Sequence, residues 1–321
     1  MTQPLLSVQD LTMHYTTRKG EVSAVDDVSF DLLAGDALGL VGESGCGKTS
    51  IAISLLRLFP ENAAIKKGNF FFDGVDLLTL SEEVMRQYRW KRIAMVFQAA
   101  MNSLDPVYRV GDQIVEALNT HIETMTNAQA RDRVAQLFGT VGLDPALMDR
   151  YPHEYSGGMR QRAVIAMALS CNPDLIIADE PTTALDVIVQ DKLLREMSAI
   201  QQQLGMGMIY ISHDIAVIAE VCSRIGVMYV GRMAEMARAV EIFKQPLHPY
   251  TFALMHAFPS ITGSKIELIT LPGEPPDLLH PPPGCRFHPR CPRTTDKCKQ
   301  EVPPFKDYGA RHFAACWHPM E

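Results

Sequence analysis

An α/β fold built around a parallel sheet is what this sequence predicts, and three observations predict it. The run ALGLV leads into the glycine-rich GESGCGKT and then into the helix-patterned SIAISLLRL. Two more apolar runs, DLIIAD and MGMIYISHD, read as strands buried on both faces. Polar residues close both runs, at the strand ends where ligands sit in an open α/β sheet. Length and composition agree with this. The 321 residues suggest about two domains, and 47% apolar with 21% charged residues is the balance of an ordinary globular chain. The formal net charge of −7 argues against a dedicated nucleic-acid binder, so no nucleic-acid partner is expected.

The elements follow in order. Residues 5–33, in LLSVQDLTMHY and EVSAVDDVSFDL, mix β-branched and apolar residues with short turns and predict an antiparallel β subdomain. NFFFDGVDL predicts a strand pair turning at Asp73 and Gly74, and RIAMVFQ a short buried strand. Residues 100–158 carry the helical patterns VGDQIVEALNTHI and AQARDRVAQLFGTVGL, broken at Pro106, Pro145 and Pro152, and predict a helical insert. RQRAVIAMALSC predicts a helix, and RIGVMYVGRMAEM a closing hairpin. After about residue 249 the texture changes, and residues 270–292 hold eight prolines and two glycines, against regular structure. The expected organisation is a main domain over 1–248 and a C-terminal extension over 249–321. No apolar run reaches the length of a bilayer span, and MTQPLLSVQD lacks the charged start of a secretory signal. A cytosolic chain that can dock on a membrane protein is therefore expected.

GESGCGKT, Gly42 to Thr49, fits the pattern G-x-x-x-x-G-K-S/T between a strand and a helix. The glycines let successive N–H groups turn inward onto phosphate oxygens, and the following helix presents its positive end to the same anion. Lys48 is expected on the β- and γ-phosphates and Thr49 on Mg²⁺. The candidate nucleotide-binding set is Gly42, Glu43, Ser44, Gly45, Cys46, Gly47, Lys48, Thr49 and Ser50, with Cys46 a small filler.

DLIIADEP ends in Asp179 and Glu180. Asp179 is expected to hold Mg²⁺. Glu180 is expected to point the other way along the pleat, toward the γ-phosphate and an attacking water. Gln98 closes RIAMVFQ within reach of Mg²⁺ or that water, and His213 closes another strand in ISHD. Glu180, His213 and Gln98 are thus the catalytic candidates, and Thr49, Gln98 and Asp179 the Mg²⁺ candidates. Tyr15 is a candidate for stacking on adenine. EYSGGMRQR opens a helix on Ser156, Gly157 and Gly158, a second end suited to an anion. Two phosphate-seeking ends in one chain make sense if the second grips the nucleotide of another chain.

Taken together, the loop at 42–49, Gln98, YSGGM at 155–159, the run 175–180, ALD at 184–186 and His213 resemble the nucleotide-binding subunit of an ABC transporter. The signature departs from the family's usual LSGGQ at Tyr155 and Met159 but keeps Ser156, Gly157 and Gly158. MYVGRMAEM, PLHPYTFALMHAFP, LPGEPPDL and PPGCRFHPRCP resemble the importers of dipeptides, oligopeptides and nickel. The resemblance implies an ABC-type P-loop ATPase at the cytoplasmic face of a bacterial inner membrane. Its implied partners are two membrane permeases, a second ATPase subunit that is a different chain, and an extracytoplasmic solute-binding protein. Peptide or nickel import both fit it, and a soluble ABC ATPase not coupled to transport is the rival.

Of seven cysteines, Cys285, Cys291, Cys298 and Cys316 form C-x5-C-x6-C-x17-C in the extension. The spacing leaves iron–sulfur and zinc both open, the latter with His288, His312 or His318 replacing a cysteine. The family resemblance implies a 4Fe-4S cluster. In either case a metal staple would order a proline-rich tail that has little core of its own.

Overall fold

The computed structural model describes residues 3–98, 103–183, 185–256 and 271–320. Residues 100–102 at the head of the expected helical insert, Ala184 of ALD and the end of PLHPYTFALMHAFP lie outside the described residues. The first half of the chain forms β1 (Leu6–Thr17), β2 (Gly20–Leu32), β3 (Ala37–Val41), α1 (Lys48–Leu55), β4 (Ala63–Phe72), β5 (Val75–Asp76), α2 (Glu82–Tyr88), β6 (Ile93–Val96), α3 (Val110–His121) and α4 (Asn127–Thr140). There follow α5 (Gly157–Ala168), β7 (Leu175–Asp179), α6 (Val187–Leu204), β8 (Gly207–Ser212), α7 (Ile215–Val221), β9 (Arg224–Tyr229), β10 (Arg232–Arg238), α8 (Ala239–Lys244) and α9 (Pro249–His256). The extension adds α10 (Asp296–Gln300), β11 (Lys306–Asp307) and β12 (Phe313–Ala314).

These elements form two compact units. One comprises Leu6–Asp31, Leu38–Leu78 and Ser212–Glu321. Its antiparallel sheet runs β2-β1-β4-β5, as residues 5–33 predict. β1 pairs with β4 from Leu6 opposite Phe72 to Tyr15 opposite Ala63, with a register shift between Gln9 and Thr12, where Asp10 takes φ 50°. Strand side chains alternate, so without this bulge Leu6 and Val8 would face opposite to Leu11 and Met13. With it, all four are buried. The turn from β4 to β5 puts Asp73 at φ 49° and Gly74 at φ 78°, the positive pair that a tight hairpin requires.

In the same unit β3 lies parallel to β9, and β9 folds back antiparallel onto β10 through Val230 and Gly231. β12 pairs with β10, setting Ala314 opposite Glu235, and β11 pairs with β12. The tail thus supplies two short strands that cover a sheet edge, although its proline-rich stretch 271–287 has neither helix nor strand.

The other unit comprises Met1–Leu5, Leu32–Ala37 and Thr79–Ile211. β6, β7 and β8 are parallel, with Ile93 opposite Leu175 and Leu175 opposite Gly207. Every residue of β7 is buried, which explains its unbroken apolar run up to Asp179. The helical insert contains α3 and α4, and Pro145 and Pro152 each open a 3₁₀ turn rather than simply breaking a helix. α4 starts on a reciprocal cap between Thr126 and Gln129, an interaction worth about 1 kcal/mol. α6 starts on Asp186, whose carboxylate accepts the Val189 N–H at 3.0 Å, and stops at Gly205 with φ 65°. Among the described residues no helix is long and apolar enough to cross a membrane.

Candidate functional site

The glycine-rich loop connects β3 to α1. Gly42, Gly45 and Gly47 all take positive φ, which turns the backbone amides inward. There is no room for side chains at two of them. A Cβ on Gly42 would lie 2.2 Å from the Met228 carbonyl oxygen, and one on Gly47 would lie 2.2 Å from that of Ala24. α1 opens on Gly47, which has no side chain to cap it, so its first amides face the loop rather than a capping group. Lys48 is buried, and its Nζ donates to the carbonyls of Gly42 at 2.7 Å and Glu43 at 3.1 Å. Burial pushes the Cys46 thiol pKa up, which suits a neutral filler. Thr49 is exposed at the start of α1, and the Ser50 hydroxyl lies 3.3 Å from that of Tyr15, tying the tyrosine to the same helix. His213 follows β8 and is exposed.

In the unit built on β6–β8, Asp179 is the last residue of β7 and is buried. Glu180 comes next at φ 46°, and its N–H donates to the Ile211 carbonyl at 2.9 Å. The pleat alternation expected for this pair therefore does not set its direction. A left-handed turn, rare for a residue with a side chain and concentrated at functional sites, swings Glu180 off the strand end. The Gln98 amide donates to Glu180 Oε2 at 3.1 Å and the Thr183 hydroxyl to the same oxygen at 3.0 Å. Gln98 lies two residues beyond the end of β6. Thr183 carries no signal in the sequence, where a threonine shortly after Pro181 reads as ordinary loop.

α5 opens on Ser156, whose Oγ accepts the Met159 N–H at 3.3 Å, with Gly157 and Gly158 in the first turn. A Cβ on Gly158 would meet Val189 at 3.3 Å, so a larger residue would press on α6. Tyr155 is buried, and its hydroxyl donates to the Leu147 carbonyl at 2.7 Å. Where the usual signature has leucine, this chain has an aromatic ring that also anchors the 3₁₀ turn at Pro145–Asp149.

A family model described as "ABC transporter" matches residues 25–183, and one described as "Oligopeptide/dipeptide transporter, C-terminal region" matches 234–298. A probable peptide ABC transporter ATP-binding protein of Sinorhizobium fredii is 44% identical over 99% of this chain and 96% of its own. The oligopeptide transport ATP-binding protein OppD of Salmonella typhimurium is 42% identical over 99% and 94%, and the dipeptide transport ATP-binding protein DppD of Bacillus subtilis 44% over 98% and 95%. The chain belongs to the ABC transporter ATPase family. The dimeric ABC cassette MJ0796 shares the fold of this ABC ATPase at a TM-score of 0.66, with 24% identity, over 73% of this chain and 98% of that one.

The tail of the ABC ATPase brings all four expected cysteines together. Cys285, Cys291, Cys298 and Cys316 line one small cavity of about 10 Å³, together with Phe287 and Trp317 among others. Burial pushes the thiols of Cys285 and Cys316 up to about 11 and raises that of Cys291, and the neighbouring thiols add to each shift. The metal-ready geometry expected there is not present: among the described residues no three His, Cys, Asp or Glu side chains are disposed to hold an ion. A cavity of this size has room for about one water. Their convergence on one cavity fits a metal donor set in chemistry.

The same segment also makes a long-range contact. Arg290, in the 3₁₀ turn between Cys285 and Cys291, reaches the glycine-rich loop. Its Nη1 donates to Glu43 Oε2 at 2.8 Å and its Nη2 to Glu43 Oε1 at 3.1 Å. The Glu43 N–H donates to the Tyr250 hydroxyl at 3.0 Å. The only hint in the sequence is the pair of arginines inside C-R-F-H-P-R-C, residues 285–291.

Proposed function

We infer that this ABC ATPase powers the uptake of peptides by a bacterial importer, working at the cytoplasmic face of the inner membrane. Similarity along nearly the whole chain, tail included, to ATP-binding proteins of oligopeptide and dipeptide transport carries the reading. Residues 1–248 form the cassette and 249–321 its extension. Its partners are two permeases, a second ATPase subunit and a solute-binding protein.

Loop amides from Gly42 to Ser50 and the Lys48 ammonium hold the phosphates, and Tyr15 stacks on the adenine. Mg²⁺, when bound, neutralises phosphate charge, and Thr49, Gln98 and Asp179 are the residues that would hold it. Glu180, fixed by Gln98 and Thr183, orients the attacking water, and His213 contacts the γ-phosphate. Ser156 to Gly158 close on the nucleotide of the second subunit, which in turn completes the site of this one. Catalysis is then positioning and electrostatics. The deciding experiment reconstitutes the chain with its permeases and binding protein in vesicles. ATP-dependent uptake of labelled di- to pentapeptides is expected. Uptake of nickel chelates without peptide would replace this reading with metal import, and ATP hydrolysis without transport would remove it.

The four tail thiols are read as a metal donor set, with a 4Fe-4S cluster as the first occupant and zinc as the rival. Burial raises the energy of the Cys285, Cys291 and Cys316 thiolates, and a bound cation would relieve it. Protein purified without oxygen is expected to be brown and to carry iron and sulfide. Colourless protein with one zinc per chain selects the rival, and metal-free protein that keeps its folded tail refutes both.

A further inference from the structure

We propose that Arg290 is a positioning residue for the phosphate-binding loop, through which the cysteine-flanked segment 285–291 sets nucleotide affinity. The inference rests on the loop's nucleotide-binding role and not on the identity of the cargo.

Three separate groups of Glu43 are held. Its carboxylate receives both arms of the Arg290 guanidinium, its N–H donates to the Tyr250 hydroxyl, and its carbonyl accepts from Lys48 Nζ at 3.1 Å. Arg290, Glu43 and Lys48 thus form a continuous chain from the tail to the ammonium that seeks phosphate. Arg290 itself has little freedom. It is 7% exposed, its Nε donates to the Pro272 carbonyl at 2.9 Å, and its Nη1 also reaches the Tyr229 hydroxyl at 3.2 Å. Burial opposes its charge, but the hydrogen bonds to Glu43 and Tyr229 outweigh burial and hold the guanidinium ionised.

The segment carrying Arg290 is fastened along its length. Phe287 packs its ring 5.1 Å from Tyr229 and 5.5 Å from Tyr250, the residue that holds the Glu43 amide. Arg286 pairs with Asp26 and donates to the Val230 carbonyl. At the cysteine end, the Cys285 N–H donates to the Cys298 carbonyl at 2.8 Å. A displacement among the cysteines would therefore be transmitted to Glu43 through a short, packed path.

The consequence for binding follows from preorganisation. A loop already held in its binding shape loses less entropy when the nucleotide arrives. Releasing Glu43 weakens ground-state and transition-state binding alike, which raises KM and leaves kcat nearly unchanged. A two-pronged contact also depends on guanidinium geometry, so lysine is a poor replacement.

The test uses the assembled transporter with Arg290→Gln, Arg290→Lys, Glu43→Gln and the double variant Arg290→Gln/Glu43→Gln. KM for ATP, kcat, the Kd of ADP and the thermal midpoint are measured, and wild-type ADP binding checks the loop's role independently. In both arginine variants KM and Kd are expected to rise about 3- to 10-fold, with kcat within about twofold. The double variant is expected to be no worse than the weaker single, because both remove the same contact. A fall in thermal midpoint with KM and Kd unchanged would make the contact structural only and overturn the proposal, as would additive effects in the double variant. If Arg290→Gln does not fold, Arg290→Lys and Glu43→Gln carry the same comparison.

Discussion

Glu180→Gln is expected to bind ATP as the wild type does and to lose turnover by about 10²- to 10⁴-fold, the usual contribution of a positioned acid–base group. The replacement is close in shape. A glutamine carbonyl oxygen can still accept from the Gln98 amide and the Thr183 hydroxyl, so the contacts at 3.1 and 3.0 Å survive. What disappears is the negative charge proposed to polarise the attacking water. The loss corresponds to roughly 3–5 kcal/mol in the barrier at 1.36 kcal/mol per tenfold. Steady-state hydrolysis in the assembled complex, with ATP affinity measured in parallel, checks it. A variant that hydrolyses at the wild-type rate would take the catalytic role away from Glu180.

The second large effect is expected from Gly47→Ala, which should abolish measurable nucleotide binding while the rest of the chain stays folded. Two penalties coincide at this position. The backbone takes φ 103°, a conformation that side chains disfavour, and the new Cβ would stand 2.2 Å from the Ala24 carbonyl oxygen. A backbone atom cannot swing away as a side-chain tip can, so the loop and the start of α1 must move together. Gly45→Ala is the control. It also has positive φ, 78°, but its Cβ would meet nothing within 4 Å, so only the conformational strain of about 1–2 kcal/mol applies. Titration of a fluorescent ATP analogue should therefore show weakened binding for Gly45→Ala and none for Gly47→Ala. Equal effects in the two variants would mean that strain, and not the clash with β2, governs the loop.

Much of this ABC ATPase was legible before any coordinates. The antiparallel sheet, the buried run of β7, the helical insert and the hairpin of β9 and β10 all appear where periodicity and turn residues placed them. These are short-range properties: side-chain period, glycine and proline chemistry, and the composition of a doubly buried strand lie within a few residues of the structure they encode. The glycine loop was legible for the same reason, since its wrap is written in its own eight residues.

Other features depended on which distant backbones meet. The bulge at Asp10 is needed because β1 must keep one apolar face against the core while paired with β4. Glu180 takes its direction from a left-handed turn held by a hydrogen bond to Ile211, where alternation along the strand pointed elsewhere. The tail cysteines announced themselves by spacing, but only packing shows that they share a cavity with no metal geometry in place. The bond between Arg290 and Glu43 joins residues 247 apart, with no local pattern at either end. Sequence alone determined the repeating elements and the phosphate-seeking loop, because local sterics and hydrophobic period specify them. Tertiary structure alone decided which charged group steadies that loop, because an ion pair between residues 247 apart exists only once the fold has brought them together.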